Sequence, residues 1–370
     1  MNGVTNSVIK VLETYRKMGI EAMVVAPGAP ETPSAYLGYP VVQSKALPFM
    51  QFPVAVPGFF LSALIQTFSP DVIHVASPFM LGTQALILGE QLGIPTVAVY
   101  QTDLAGYTDR YGLKFARQGV DRMVATIHGL ATLNLAPTPE AKQYLESLGV
   151  PNVKLWGRGV DIDTYHPNRK QLATTQLLRE EFADTDDVVF GYVGRLAPEK
   201  RVDRLKELFG LGPNAKFLVV GEGPERKNLE TAFDGRDVHF TGVLRNEALA
   251  DAYAAIDVFV HFGTEETFGQ TIQEAQAAGL PVLAPDMGGP KFLIEHGVSG
   301  LLIAPNQTGG YSEAASQLLA DPVLRAKLGE GARRAVLRKS WDENNLKLIA
   351  NYRDAIGALR EKRVADYELV

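Results

Sequence analysis

Two glutamates in the second half of the chain have the type and spacing to bind a ligand with hydroxyl groups. Glu266 and Glu274 are separated by seven residues, in a stretch predicted to run from a polar turn into a helix that ends at Gly279. Eight steps along an ideal helix leave two side chains about 80° apart, broadly on one side. Carboxylates accept hydrogen bonds from hydroxyl groups, but a helix-capping acid and a solvated glutamate would show the same spacing.

Two bases, Arg195 and Lys200, lie in the loop after another predicted strand, 188–193. An arginine and a lysine at a strand end above a helix start can clamp a diphosphate, because both are charged and the guanidinium adds a bidentate fork. Two surface bases without a shared ligand are the alternative interpretation.

Both loops are expected at one edge of a parallel sheet. Apolar strands alternate with helical segments, and the strand 257–262 runs directly into the Glu266 turn. This order builds parallel sheets, whose ligands lie beyond the carboxyl ends of the strands and at helix amino termini. Backbone N–H groups of Thr267, Phe268 and Gly269 would then face the ligand of Glu266.

The bulk properties are typical of a two-domain α/β enzyme. The chain has 370 residues and no cysteine, so two domains are expected and thiol chemistry is excluded. Its net charge of −6 and the lack of a basic block argue against nucleic-acid binding. No apolar run is long enough to span a membrane, and the first residues lack a signal-peptide pattern, which favours a cytoplasmic enzyme.

The first half begins without the strand that normally precedes a glycine loop of this kind. Gly3 leads into a predicted amphipathic helix that ends at Gly19, and a strand over 20–26 follows. The pattern favours a chain start upstream of Asn2, and the alternative is a family variant that lacks the strand. The apolar face of the helix is predicted to contain Val4, Val8, Val11, Leu12, Tyr15 and Met18.

The segment 46–60 is unusually apolar and contains Phe49, Met50, Phe52, Phe59 and Phe60. A loop and helix that face the core explain it most simply. A lid or edge that meets a lipid acceptor or a membrane surface is the sharper hypothesis. Lys45 is the only base nearby, so strong electrostatic attraction to lipid is not indicated.

Polar residues at strand ends in the first half are candidates for an acceptor site. His74 lies in a predicted buried strand, where packing in the core is the simpler interpretation, and a later strand leads into Gln101 and Asp103. Arg158 lies in the glycine-rich turn 157–161, where the domain hinge is expected.

Two further motifs are incomplete. Asp161 and Asp163 form a D-x-D pattern that is typical of metal-dependent transferases. They lie in a linker turn, so no metal site is predicted. Gly221 and Gly223 begin a dinucleotide fingerprint that has Arg226 in place of its third glycine, which weakens a hydride-transfer function.

Over nearly the whole chain, the motifs in this order resemble the family 4 retaining glycosyltransferases of the GT-B fold. The resemblance rests on Gly194-Arg195 with Glu199-Lys200, 219–224, Glu266 with Glu274, 278–282, Gly3-Val4 and Gly159-Val160-Asp161. The sequence around Glu266 and Gln101 looks most like bacterial GDP-mannose-dependent α-mannosyltransferases that act on glycolipids. Sulfoquinovosyl-diacylglycerol synthases look similar but more distant.

The resemblance implies an α/β architecture of two Rossmann-like domains with doubly wound parallel sheets that face each other across a cleft. Residues 1–158 would bind the acceptor, 159–340 would bind the nucleotide sugar, and a last helix within 341–370 would cross back to the first domain. A hexose, most simply mannose, would pass from GDP-mannose to a lipid or glycolipid, with no metal or other cofactor and with peripheral contact to the inner face of the membrane.

The resemblance also implies roles for single residues. The donor side would contain Arg195 and Lys200 at the diphosphate, Glu266, Phe268 and Gly269 at the sugar, Glu274 at the ribose, Val243 and Leu244 at the base, and Gly3 beside the phosphates. The acceptor side would contain His74, Gln101, Asp103 and Arg158. Many relatives have histidine at the position of Gln101, and glutamine cannot take up a proton near neutral pH, so a departing phosphate oxygen would accept the proton of the acceptor.

Three other functions stay open at this point. The first is a UDP-sugar-dependent transferase that moves a sulfoquinovosyl or glucosyl group to diacylglycerol. The second is a GT-B-fold epimerase of UDP-sugars, which would form product without an acceptor. The third is a nucleotide-binding module without catalytic activity.

Overall fold

Parallel sheets organise both halves of the protein. The computed structural model describes residues 3–29, 32–49, 52–55, 57–101, 117–266 and 268–368, with the backbone alone for 47–49, 52–55 and 362–368. Contacts divide the chain into two units, one formed by Met1–Arg158 with Trp341–Val370 and the other by Gly159–Ser340.

The first unit contains a four-stranded parallel sheet, a three-stranded sheet and a two-stranded hairpin. Its strands are β1 Val24–Pro27, β2 Ala35–Tyr36, β3 Tyr39–Ser44, β4 Ala46–Phe49, β5 Phe52–Ala55, β6 Ile73–Val75, β7 Thr96–Val99, β8 Leu133–Ala136 and β9 Val153–Leu155. The larger sheet has the order β6-β7-β8-β9, the smaller one β1-β3-β2, and the hairpin pairs β4 with β5. Because β7 and β8 are central in the larger sheet, every residue of both strands is buried.

The helices of the first unit follow the predicted apolar pattern with one exception. They are α1 Gly3–Met18, α2 Phe60–Phe68, α3 Leu81–Leu92, α4 Arg117–Gly129 and α5 Pro139–Ser147. Val11, Leu12 and Tyr15 of α1 are buried as expected, whereas Met18, expected on the same face, is 45 % exposed. Met18 is the last residue before Gly19, whose φ of +67° ends the helix, so its side chain lies beyond the core.

The second unit is built on one six-stranded parallel sheet. Its strands are β10 Val188–Val193, β11 Ala215–Val220, β12 Val238–Gly242, β13 Val258–Val260, β14 Val282–Pro285 and β15 Gly300–Ile303. They have the order β12-β11-β10-β13-β14-β15. All residues of β10, β13 and β14 are buried, because helices cover both faces of a sheet of this kind.

The helices of the second unit are α6 Ala173–Glu180, α7 Arg226–Ala232, α8 Asn246–Ala255, α9 Gln270–Ala277, α10 Gly288–Leu293, α11 Gly310–Ala320 and α12 Pro322–Val336. The helix expected from Arg201 is a 3-10 helix over Val202–Leu208, preceded by a 3-10 turn over Pro198–Lys200. Arg201 has a φ of +51°, which separates the two segments.

The last helix, α13 Trp341–Glu368, belongs to the first unit and packs on α1. A buried hydrogen-bond chain joins them: the Tyr15 hydroxyl donates to the Tyr352 oxygen over 2.6 Å, and the Tyr352 hydroxyl lies 2.6 Å from Nδ1 of His74 in β6. Among the described residues, no helix combines the length and the apolar composition needed to cross a bilayer.

Candidate functional site

An ion pair between Lys200 and Glu266 lies where the loops after β10 and β13 meet. The Lys200 ammonium donates a hydrogen bond to Oε2 of Glu266, and the two side chains are only 23 % and 20 % exposed. The backbone N–H of Gly289, in the first turn of α10, donates to the Glu266 carbonyl oxygen over 2.8 Å. This contact fixes the backbone of Glu266, while Lys200 holds its carboxylate.

The second predicted base, Arg195, forms an ion pair with Glu199 on the neighbouring loop segment. The hydroxyl of Tyr192 donates to the Arg195 carbonyl oxygen over 3.0 Å and so orients this loop. Burial, assisted by the negative charges of Glu266 and Glu199, raises the pKa of Tyr192 and keeps its hydroxyl protonated. Arg195 and the partner of Lys200, Glu266, thus both lie near one tyrosine at the carboxyl end of β10.

His261 is part of this cluster, and sequence reasoning missed it. Its side chain is 2 % exposed, its Nε2 lies 3.9 Å from Oε2 of Glu266, and neither ring nitrogen has a hydrogen-bond partner in the part of the chain that the structure describes. Burial lowers the pKa of His261 to about 4, so the imidazole is neutral at neutral pH. The sequence feature that could have identified His261 is its position as a polar residue directly after the buried β13 strand and shortly before Gly263.

The second glutamate of the predicted pair, Glu274, lies inside α9 and has different partners. Gly269, with a φ of +97°, precedes the helix, and no side chain among the described residues caps it there. The Tyr253 hydroxyl donates to Oε2 of Glu274 over 2.8 Å. Burial raises the pKa of the Glu274 carboxyl to about 7, although the hydrogen bond from Tyr253 opposes this shift.

Three other predicted donor-side residues, Phe268, Val243 and Leu244, lie in loops of the second unit. The Phe268 side chain is buried in the core, so any ligand contact there would come from its backbone. Val243 and Leu244 follow β12, and Val243 is 56 % exposed. Thr267, whose N–H group was predicted to face the ligand, lies outside the described residues.

Gly3, Gln101 and Arg158 come together in the first unit. Nη2 of Arg158 donates to Oε1 of Gln101 over 3.2 Å. A Cβ atom on Gly3 would lie 2.7 Å from Nη1 of Arg158, so a side chain at this position would displace the guanidinium. Asp103 lies outside the described residues.

The contacts of His74 are those of a packed core histidine. Its Nδ1 lies 2.6 Å from the Tyr352 hydroxyl, and its ring packs edge-on against Trp156. Burial lowers the pKa of His74 to about 4. These contacts favour packing over the predicted acceptor role, which the structure does not test.

The D-x-D turn has a local structural function. Asp161 accepts hydrogen bonds from the N–H and the hydroxyl of Thr164, both over 2.9 Å. In the described ranges, no group of three or more His, Cys, Asp or Glu side chains is arranged to hold a metal ion.

Comparison with known proteins decides the family. The family model described as Glycosyltransferase Family 4 matches residues 1–164, and the model described as Glycosyl transferases group 1 matches residues 174–335. A GDP-mannose-dependent alpha-mannosyltransferase from Mycobacterium tuberculosis is 39 % identical over 99 % of this chain and 96 % of its own. The chain belongs to the family 4 glycosyltransferases.

One further sequence relative and one solved structure are similar to this glycosyltransferase. A GDP-mannose-dependent alpha-(1-6)-phosphatidylinositol dimannoside mannosyltransferase from Mycobacterium tuberculosis is 27 % identical over 76 % of this chain and 75 % of its own. The structure of sucrose-phosphate synthase from Thermosynechococcus elongatus has a TM-score of 0.81 at 22 % identity and covers 96 % of this chain and 94 % of that one. The GT-B fold class expected from the sequence, with parallel-sheet Rossmann-like domains, is confirmed.

Because the folded state raises the pKa of Glu274 from 4.5 to about 7, this carboxyl should make stability depend on pH. Its favourable contribution is complete below about pH 4.5 and is lost as the pH rises through 7, where the buried group must ionise. Glu274→Gln of the ligand-free enzyme should therefore be more stable than wild type above pH 7, by about 1–3 kcal/mol. Urea denaturation between pH 5 and pH 9 measures this difference, which should shrink towards pH 5.

Glu180→Gln is the matched control, because Glu180 is an exposed glutamate at the end of α6. It should leave the pH profile of stability unchanged. A Glu274→Gln enzyme that is less stable than wild type at pH 8 would contradict the assignment of an energetically costly charge to Glu274.

Proposed function

We propose that this glycosyltransferase moves mannose from GDP-mannose to a lipid or glycolipid acceptor with retention of the anomeric configuration. The observation that carries the proposal is the cluster of Lys200, Glu266 and Arg195 at the carboxyl ends of β10 and β13. The two mycobacterial relatives support the donor, and the phosphatidylinositol dimannoside enzyme among them supports a glycolipid acceptor.

Charge explains how this cluster would act. Cleavage of the bond between the anomeric carbon and the phosphate oxygen leaves negative charge on GDP, and the cations of Lys200 and Arg195 would oppose it. In the structure both cations are paired with carboxylates, Glu266 and Glu199, which keeps partly buried charges compensated until a diphosphate replaces them. The released Glu266 carboxylate would accept hydrogen bonds from hydroxyl groups of the sugar.

Other residues would bind the rest of the donor and the acceptor. Glu274 is proposed to accept the ribose hydroxyls, which requires its carboxylate form, and Val243 and Leu244 to flank the base. Gln101 and Arg158 are proposed to bind on the acceptor side. Since glutamine cannot act as a base, the acceptor hydroxyl would attack from the face that GDP leaves and pass its proton to a departing phosphate oxygen.

The proposed function is tested by incubating the enzyme with GDP-mannose, UDP-glucose or UDP-sulfoquinovose, with and without a bacterial lipid extract, followed by mass spectrometry. GDP-mannose with lipid should give a lipid heavier by one hexose. Lys200→Ala should lower kcat about 100- to 1000-fold, because one contact to the developing charge is worth about 3–4 kcal/mol.

The control for this variant is Lys206→Ala, since the Lys206 side chain is 64 % exposed and pairs only at 3.8 Å with Asp203. Its kcat should equal that of wild type. Transfer from a UDP-sugar but not from GDP-mannose would overturn the donor assignment. Conversion of a UDP-sugar in the absence of lipid would indicate an epimerase. Donor binding without any product would indicate a non-catalytic module.

Exposed phenylalanines at the two ends of α2 support peripheral contact with a lipid surface, which we propose as the way this enzyme reaches its acceptor. Phe59 is fully exposed, and Phe60 and Phe68 are 39 % and 37 % exposed, whereas Leu61 and Ile65 of the same helix are buried. Apolar side chains of this kind gain free energy when they leave water for a lipid interface.

Phe59→Ser should lower the fraction of enzyme that sediments with phosphatidylcholine vesicles, because it removes the most exposed apolar side chain of this surface. Leu177→Ser is the control, since Leu177 is 64 % exposed but lies in α6 of the other unit. Equal sedimentation of wild type and Phe59→Ser would argue against lipid contact through this surface.

A further inference from the structure

His261 is held in place by hydrogen bonds of its backbone rather than by hydrogen bonds of its imidazole ring. Its backbone N–H donates to the Leu283 carbonyl oxygen over 2.8 Å, and its carbonyl oxygen accepts the Tyr311 hydroxyl over 2.8 Å. A Cβ atom on Gly263 would lie 3.2 Å from Nε2 of His261, so the chain passes close to the ring here. The imidazole is thus confined beside the Lys200–Glu266 pair.

The ring lacks the partners that a buried imidazole normally has. Neither nitrogen makes a hydrogen bond of good geometry to the described residues, although the Gly263 backbone partly opposes the lowering of the pKa of the ring. A buried polar group left without a hydrogen bond typically costs about 1–3 kcal/mol. The Glu266 carboxylate lies 3.9 Å from Nε2, which is too far for a hydrogen bond but short enough to close by a small movement of the glutamate side chain. An unpartnered donor this close to a carboxylate indicates a state in which the two groups meet.

Donor binding provides that state, so this inference rests on the proposed function. The diphosphate would draw the Lys200 ammonium away from Glu266, and a partly buried carboxylate that loses the cation it is paired with is destabilised unless another donor replaces it. A neutral donor can hold such a carboxylate without adding a second positive charge that would compete with the sugar hydroxyls for it.

We propose that His261 is a positioning residue, which takes over the Glu266 carboxylate from Lys200 when the donor binds and orients it towards the hydroxyl groups of the sugar. Nε2–H of His261 donates to one carboxylate oxygen, and the other lone pairs of Glu266 accept the sugar hydroxyls. The lowered pKa of His261 is consistent with this role, because burial keeps the ring neutral at neutral pH before the donor binds.

The proposal predicts that His261 affects the sugar part of donor affinity and not the nucleotide part. Calorimetry should give equal Kd values for GDP in wild type and His261→Leu, within about twofold, and a Kd for GDP-mannose that is about tenfold higher in His261→Leu, as expected for loss of one hydrogen bond to a charged group. His261→Gln should recover most of this loss, since its amide nitrogen can occupy a position close to that of Nε2.

Two further variants separate positioning from a general structural effect. Tyr311→Phe removes the hydrogen bond to the His261 carbonyl oxygen but leaves the one from the His261 N–H to Leu283, which keeps the ring in place. It should therefore lower the Tm while the ratio of the two Kd values is unchanged. In a Glu266→Gln background, His261→Leu should have no further effect on the Kd for GDP-mannose, because the two residues act through one contact.

Equal weakening of GDP and GDP-mannose binding by His261→Leu would overturn the inference, and so would a His261→Gln enzyme no better than His261→Leu. If wild type transfers mannose while the ratio of the two Kd values is unaffected by His261→Leu, only the role of His261 fails. If wild type transfers no mannose from GDP-mannose, the proposed function and the role of His261 fail together.

Discussion

The ion pair between Lys200 and Glu266 is the interaction on which the arrangement of the site depends. It joins residues 66 positions apart in the sequence and connects the loops that follow two adjacent strands, β10 and β13. Both side chains are mostly removed from water, so separating them without a replacement partner would be costly. The proposed replacement of Glu266 by a diphosphate at Lys200 would therefore rearrange the charge pairing of the cluster.

The sheet of the second unit fixes the positions of the two loops that carry Lys200 and Glu266. Buried strands leave little freedom at their carboxyl ends, and the loops that follow β10 and β11 approach each other closely. A Cβ atom on Gly221 would lie 1.9 Å from the Gly194 carbonyl oxygen, so only glycine is compatible with this approach, and Gly221 also has a φ of +135°. Glu274 lowers the stability of the folded enzyme at high pH, because burial disfavours the carboxylate form that ribose binding would use.

Much of this structure could be predicted from the sequence where the pattern is local and strong. The strand 188–193 has the predicted bounds, because it is a continuous apolar run with clear ends. The hairpin of β4 and β5 was not predicted, because Pro48 and Pro53 lower the strand propensity of both segments. In the structure the two prolines occupy opposite positions of the hairpin. The positions of the bases and acids at strand ends followed from the order of the elements, but their pairing did not. His261 was missed because a histidine at the end of a buried strand has no local signature, and only the tertiary structure places it beside Glu266.

A crystal structure of the enzyme with GDP-2-deoxy-2-fluoromannose, a donor analogue that resists cleavage, tests the central claim most directly. The account predicts that Nζ of Lys200 lies within about 3 Å of a diphosphate oxygen, that its contact to Glu266 is broken, and that the Glu266 carboxylate accepts a hydroxyl group of the sugar. An analogue bound with the Lys200–Glu266 pair intact, or bound away from the carboxyl ends of β10 and β13, would contradict it.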